Sequence, residues 1–250
     1  MPLTHTDAMN MTLRLPPANR RRARRLLRVW ALAISALVLV SCGDDSGPAE
    51  IVAPDRGVVT LQVRVHLLSS EFPPLSTELT EDEVATVFGR VNAIWQQALI
   101  RWEIESILRE DALNSDAFAA ILRGDLPVSD AVIASVLPRE NLLTGDWDVF
   151  LILSLGGIAG GIYFPGIPAA LSAELDPEGR RELTGATARI LAHELGHSLS
   201  LPHVTCTAAG NLMSPGCPAA NRTRLTEGQV EAARQQALVG RPFGSGGALD

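Results

Sequence analysis

The amino-acid sequence predicts an α+β domain: a mixed, twisted sheet with one long backing helix, a second helix carrying a candidate site, and a C-terminal helix. Three observations lead to it. Apolar alternation at 59–65 and 100–107 brackets a helical stripe, a continuous apolar run covers 147–155, and helical periodicity returns near 187–199, where His193, Glu194 and His197 stand. The 250 residues are 46% hydrophobic and 20% charged, which excludes a disordered chain.

The chain opens with a segment unlike the rest. Arg20, Arg21, Arg22, Arg24, Arg25 and Arg28 precede an uncharged stretch from Val29 to Val40, the order of basic and apolar regions in an export signal. Those twelve residues fall short of the about 20 needed to span a bilayer, so a retained anchor helix is the weaker reading. Leu39-Val40-Ser41-Cys42 resembles the bacterial lipoprotein processing box. The resemblance implies that residues 1–41 are a signal peptide, that Cys42 is acylated, and that the protein is lipid-anchored in the cell envelope outside the cytoplasm, at the outer membrane or cell surface. Residues 42–57 are rich in Gly, Pro, Ser and acid and read as a tether. The folded domain is then expected over 58–250, as a monomer.

Charge narrows the partners. No Lys occurs, and seven of the 21 Arg precede residue 42 with a single acid, leaving 14 basic and 27 acidic residues, a net of −13. A body that acidic argues against nucleic acid, whose phosphates need a basic face. Two cysteines follow Cys42. Outside the cytoplasm Cys206 and Cys217 are expected to form a disulfide, two buried thiols being the alternative.

Along the domain, Val59, Leu61, Val63 and Val65 share one face of a strand. Thr80 and Glu83 form a capping box before Val84, Val87, Phe88, Val91, Ile94, Trp95 and Ala98, the stripe of the backing helix. A second strand covers 100–107, two short helices broken at Gly124 and Pro127 occupy 114–138, and Trp147 to Leu155 reads as a central strand covered on both sides. The Gly-rich stretch 156–166 lacks the Lys and Ser/Thr of a phosphate-binding loop, so it is expected to feed a short edge strand near 162–167. His66 reads as a sheet residue.

His193-Glu194-Leu195-Gly196-His197 carries the chemistry. At about 100° per residue the two histidines lie about 40° apart, one turn along the same helix face, so both imidazoles can reach one ion. Leu191, Leu195 and Leu199 fall on the opposite side, toward a core. Glu194 is offset toward a water on that ion, where a carboxylate serves as general base. A third histidine, His203, follows six residues later.

The run His193 to His203 resembles the metzincin zinc-peptidase motif HExxHxxGxxH, and Asn211-Leu212-Met213-Ser214-Pro215 resembles that family's Met-turn. The resemblance implies one catalytic zinc ion held by His193, His197 and His203, Glu194 as catalytic base, Met213 as the Met-turn residue, and a zincin-type fold acting on peptide or protein substrates. Its specific part covers 187–215. The earlier strand and helix order and the helix at 226–238 agree with the family's layout. Ser200 stands where the family has Gly, so a left-handed backbone is expected there at a cost of about 1 kcal/mol. Val204 matches no subfamily marker.

The function expected is therefore an exported, lipid-anchored zinc endopeptidase. A degenerate domain used as a surface binding lipoprotein is the alternative, and a carboxylate third ligand at Glu227 or Glu231 a further one. Mature protein recovered from its own membrane should begin at acylated Cys42 by mass spectrometry. An intact Met1 or Met11 terminus would contradict the processing site.

Overall fold

The first strand, β1 (Val59–Ser69), follows the alternation: Leu61, Val63, Val65 and Leu67 are buried on one face. The structure, a computed structural model, describes residues 56–143, 145–206, 210–215 and 222–245. The expected signal peptide, Cys42, most of the tether and Cys217 lie outside the described residues. Among the described residues no helix is long and apolar enough to cross a membrane.

Helix α1 (Glu81–Trp95) starts at the expected capping box, with Glu83 N–H donating to Thr80 Oγ1 at 3.3 Å and Thr80 N–H to the Glu83 carboxylate at 2.9 Å. Its stripe from Val84 to Trp95 is buried. Leu99, at φ 51°, turns the chain into β2 (Ile100–Asp111), which pairs parallel with β1. Asn92 locks that crossover by giving its amide to Trp102 O at 2.9 Å and accepting Trp102 N–H at 2.7 Å.

Helices α2 (Ser115–Arg123) and α3 (Asp130–Ala134) bury Phe118, Ile121 and Ile133. Then β3 (Trp147–Ile152) is buried at every position, as a central strand must be when helices cover both faces. With β5 (Ala169–Ala173), the five strands run in the order β2-β1-β3-β5-β4, with β4 (Gly161–Phe164) on the edge as the lone antiparallel member. On one face α1, α4 (Ala188–Ser198) and α5 (Glu227–Val239) share a core with Val63, Val65, Val149 and Leu151; on the other, α2 and α3 cover Leu68, Phe150 and Ile152. The architecture is the α+β arrangement expected from the sequence.

One strand escapes sequence reading. β5 (Ala169–Ala173) is Ala-Ala-Leu-Ser-Ala, a composition with little strand preference. Its Ala170 and Ser172 are fully buried, and α4 packs on this strand. Small side chains on that face are what a close helix needs.

His66 is a sheet residue with a structural task. Fully buried and stacked on Phe150 at 4.2 Å, it bonds Asp148 Oδ1 through Nε2 at 2.9 Å and Glu110 through Nδ1, so it links β1 to both neighbours. Burial pushes the Asp148 carboxyl above its ordinary range, against the pull of His66 beside it. His66→Ala should lower stability by about 3–5 kcal/mol, because two shielded carboxyls lose their partner. The urea midpoint measures it, and an unchanged midpoint would show the link to be dispensable.

Candidate metal centre

Helix α4 supplies three of the site's residues, and its neighbours hold it firmly. Leu191, Ala192 and Leu195 are buried among residues of α1 and the sheet, while Trp147 Nε1 on β3 donates to Ser198 Oγ at 3.0 Å. Just before the helix, Thr187 Oγ1 donates to Glu174 O at 2.7 Å. The cleft-facing side of α4 therefore carries His193, Glu194 and His197 on a rigid support.

The helix ends in a reversal that delivers the third histidine. Leu201 N–H bonds Gly196 O at 3.0 Å and Ser200 N–H bonds His197 O at 3.0 Å, the paired bonds of a Schellman cap. Ser200 has φ 63°, the left-handed conformation expected at this position. Leu201 buries its side chain beneath the turn and Pro202 follows. The chain then brings His203 back over the helix.

The three Nε2 atoms converge: 3.0 Å between His193 and His203, 3.0 Å between His197 and His203, and 3.2 Å between His193 and His197. Two backbone carbonyls aim the rings. His193 Nδ1–H donates to Leu212 O at 2.7 Å and His197 Nδ1–H to Leu201 O at 2.8 Å. A neutral imidazole that donates from Nδ1 has a bare lone pair at Nε2, and lone pairs facing one another repel unless a cation lies between them. Burial lowers the His193 pKa to about 4 and that of His197 in the same direction, so both rings are neutral near pH 7, as ligands must be. Two imidazoles on one tetrahedral ion at about 2.0–2.1 Å place their nitrogens about 3.3–3.4 Å apart. The observed 3.0–3.2 Å separations lie a few tenths of an ångström inside that span, and the three residues form a group able to hold a metal ion.

Glu194 points to the same cleft without joining the triad. Burial raises its pKa to about 8, opposed by the N–H of Tyr163 on β4. The edge strand passes so close that a Cβ on Gly161 would stand 2.6 Å from Glu194 Cγ, so glycine is required where strand and base meet. A second close approach lies below. A Cβ on Gly196 would stand 2.5 Å from the sulfur of fully buried Met213, whose turn is held by Asn211 Oδ1 accepting Met213 N–H at 2.8 Å. Val204 N–H, just past His203, donates to Met213 O at 2.9 Å, so the Met213 turn braces the segment bearing the third histidine.

Sequence reasoning named the three histidines, Glu194 and Met213, and the structure brings these residues to one place. It missed the carbonyls of Leu201 and Leu212 and the N–H of Tyr163. Backbone groups carry no side-chain signal, although the glycines at 160 and 161 mark the close approach. Glu227 and Glu231 stand apart on α5, where Glu231 pairs with Arg56 at 2.7 Å. That removes the carboxylate-ligand alternative. Cys206 lies on the loop after His203, and its expected partner Cys217 falls outside the described residues.

The sequence matches no family model and no curated protein. Among solved structures it resembles a chain in the structure of a chaperone-substrate complex at 11% identity, covering 73% of this chain and 34% of that one, TM-score 0.43. It also resembles metalloproteinase-II from Bacteroides fragilis, at 13% identity over 73% of this chain and 55% of that one, TM-score 0.45. A third is archaemetzincin from Methanopyrus kandleri, at 12% identity over 74% of this chain and 98% of that one, TM-score 0.46. The chain thus spans about a third of the first and about half of the second. Likenesses this distant leave the site to be read from its own geometry.

Ser200→Gly should stabilise the protein by about 1 kcal/mol, because glycine adopts the left-handed turn without strain. A thermal midpoint raised by about 2–4 °C is the expected readout; a fall would mean that the Ser200 side chain contributes more than its backbone costs.

Proposed function

We propose that the protein is an exported, lipid-anchored zinc endopeptidase of the metzincin type. One observation carries the reading: three imidazole nitrogens within 3.2 Å of one another, two with their opposite ring nitrogens committed to carbonyls, beside a buried carboxylate that is not a ligand. A purely structural zinc site takes four protein ligands and has no use for a base beside an open position. Among the described residues the metal-binding group has three members.

His193, His197 and His203 would hold the ion. Zinc, when bound, supplies a Lewis acid that polarises a scissile carbonyl and acidifies a water. With the charge of a bound ion offsetting its burial, Glu194 would be ionised, accept a proton from the attacking water and hand it to the departing amine nitrogen as the peptide bond breaks. Tyr163 N–H steadies that carboxylate. Strand β4, last in the sheet and bordering the cleft, suits an extended peptide that adds a further strand.

Anchoring through acylated Cys42 and export belong to the same proposal and rest on the sequence. So does a bridge between Cys206 and Cys217, which would close a loop around the Met213 turn.

Glu194→Gln should keep near-normal zinc content and lose peptide hydrolysis by about 10²–10⁴-fold, since it preserves shape and removes the proton acceptor. His197→Ala should lose metal and activity together. Wild-type rates in Glu194→Gln would end the mechanism. Full zinc loading with no hydrolysis of any peptide by the wild type would favour the surface-binding alternative.

A further inference from the structure

The cleft differs in chemistry on its two sides. Beside His197 it is walled by Tyr163, Pro165, Leu201, Pro202 and Phe243, an apolar set. Beside His193 it is walled by Arg180, Arg189 and Arg222 together with Asp176 and Glu178. Arg180 is balanced, at 2.6 Å from Asp176 and 3.1 Å from Glu178.

Arg222 is not. One terminal nitrogen donates to Ser214 O at 2.5 Å, but its Nε is buried and has no hydrogen-bond partner among the described residues. Burial lowers its pKa first and the charge of Arg189 lowers it further, with Glu178 opposing least. Arg222 lines the cleft together with His193 and Glu194. Its Nε is enclosed by protein, so a ligand meets the guanidinium where Arg222 lines the cleft beside His193; there a carboxylate would accept a hydrogen bond and cancel charge, next to the second guanidinium of Arg189.

Direction along the cleft follows from β4. The Arg-lined side borders Ile158 to Gly161, the entry of β4, and the apolar side borders its exit at Tyr163 and Pro165. A peptide pairing antiparallel with β4, the more stable ladder, runs toward that entry as it leaves the metal. The residue following the scissile bond then meets Arg222.

We propose that Arg222, with Arg189 beside it, forms a carboxylate-binding subsite that selects peptides bearing Asp or Glu immediately after the scissile bond. This rests on the peptidase reading above and names its substrate class.

The test digests decapeptide libraries with the zinc-loaded full chain and reads cut sites by mass spectrometry, one library with amidated and one with free C-termini. Acidic residues should dominate the position after the cut in both libraries, and a Glu peptide should exceed its Gln counterpart in kcat/KM by about 10–100-fold. Arg222→Gln should bring that ratio down to a few-fold, Arg222→Lys should retain most of it, and Arg222→Glu should turn the preference toward Lys and Arg. Because Arg222 also holds Ser214, Arg189→Gln is measured alongside, with the zinc content of each variant. Cleavage without acidic preference, or a preference unchanged in both Arg222→Gln and Arg189→Gln, overturns the subsite. Cuts confined to the last bond of free C-termini overturn its assignment to a side chain in favour of the terminal carboxylate.

A binding readout separates the two proposals. Glu194→Gln protein should bind a fluorescent, amidated Glu pentapeptide more tightly than its Gln counterpart, and Arg222→Gln in that background should erase the difference. Acid-dependent binding without hydrolysis by the wild type would sink the peptidase reading and keep the subsite; equal binding of both peptides would sink the subsite.

Discussion

Three imidazole nitrogens at 3.0–3.2 Å from one another are the feature on which the rest of this domain depends. The bare lone pairs of His193 and His197 repel at 3.2 Å, so the fold must hold them facing a cation by means outside the cluster. It does so with backbone carbonyls: Leu201 O, in the reversal that ends α4, aims His197, and Leu212 O, in the Met213 turn, aims His193. Ring orientation thus belongs to the same turns that shape the chain after the helix, and a metal-ligating histidine oriented through its other nitrogen is the more basic ligand.

The packing beneath follows from that requirement. Helix α4 is clamped by buried leucines, by Trp147 bonding Ser198, and by contacts with α1 and the small side chains of β5. Gly196 and Gly161 are the points where no side chain fits, one against the Met213 sulfur and one against Glu194. The site is therefore held between the edge strand above and the Met213 turn below. The far face of the sheet carries a different polar device, His66 between Asp148 and Glu110, which ties three strands together. Chemistry on one face and structural polarity on the other keep two histidine environments with unlike tasks apart.

Electrostatics divides the cleft in a way that overall charge conceals. The chain after residue 41 is strongly acidic, yet the wall beside His193 holds Arg222 close enough to Arg189 to feel its charge. A local positive site on an acidic body discriminates by short-range contact, since charges on the wider surface are screened within about 10 Å.

The sequence by itself determined the fold class, the capping box of α1, the strand carrying Val63 and Val65, and the identities of His193, Glu194, His197, His203 and Met213. The elements and the His193–Glu194–His197 group rest on a local period or spacing: alternation for strands, 3.6 residues for helices, four residues between two histidines; His203 and Met213 were singled out by resemblance to a peptidase motif. It also pointed to the left-handed turn at Ser200, through a departure at one motif position. Only the tertiary structure decided the rest. β5 was illegible because Ala and Ser have no strand signature until α4 must approach them, and the order of the strands is a property of the whole sheet. The roles of Leu201 O, Leu212 O and Tyr163 N–H were invisible because every residue carries those groups. Arg222 stood among 21 indistinguishable arginines. What sets it apart is a buried Nε and a neighbouring Arg189 brought near from another element, and distance in space is the one quantity a linear pattern does not encode.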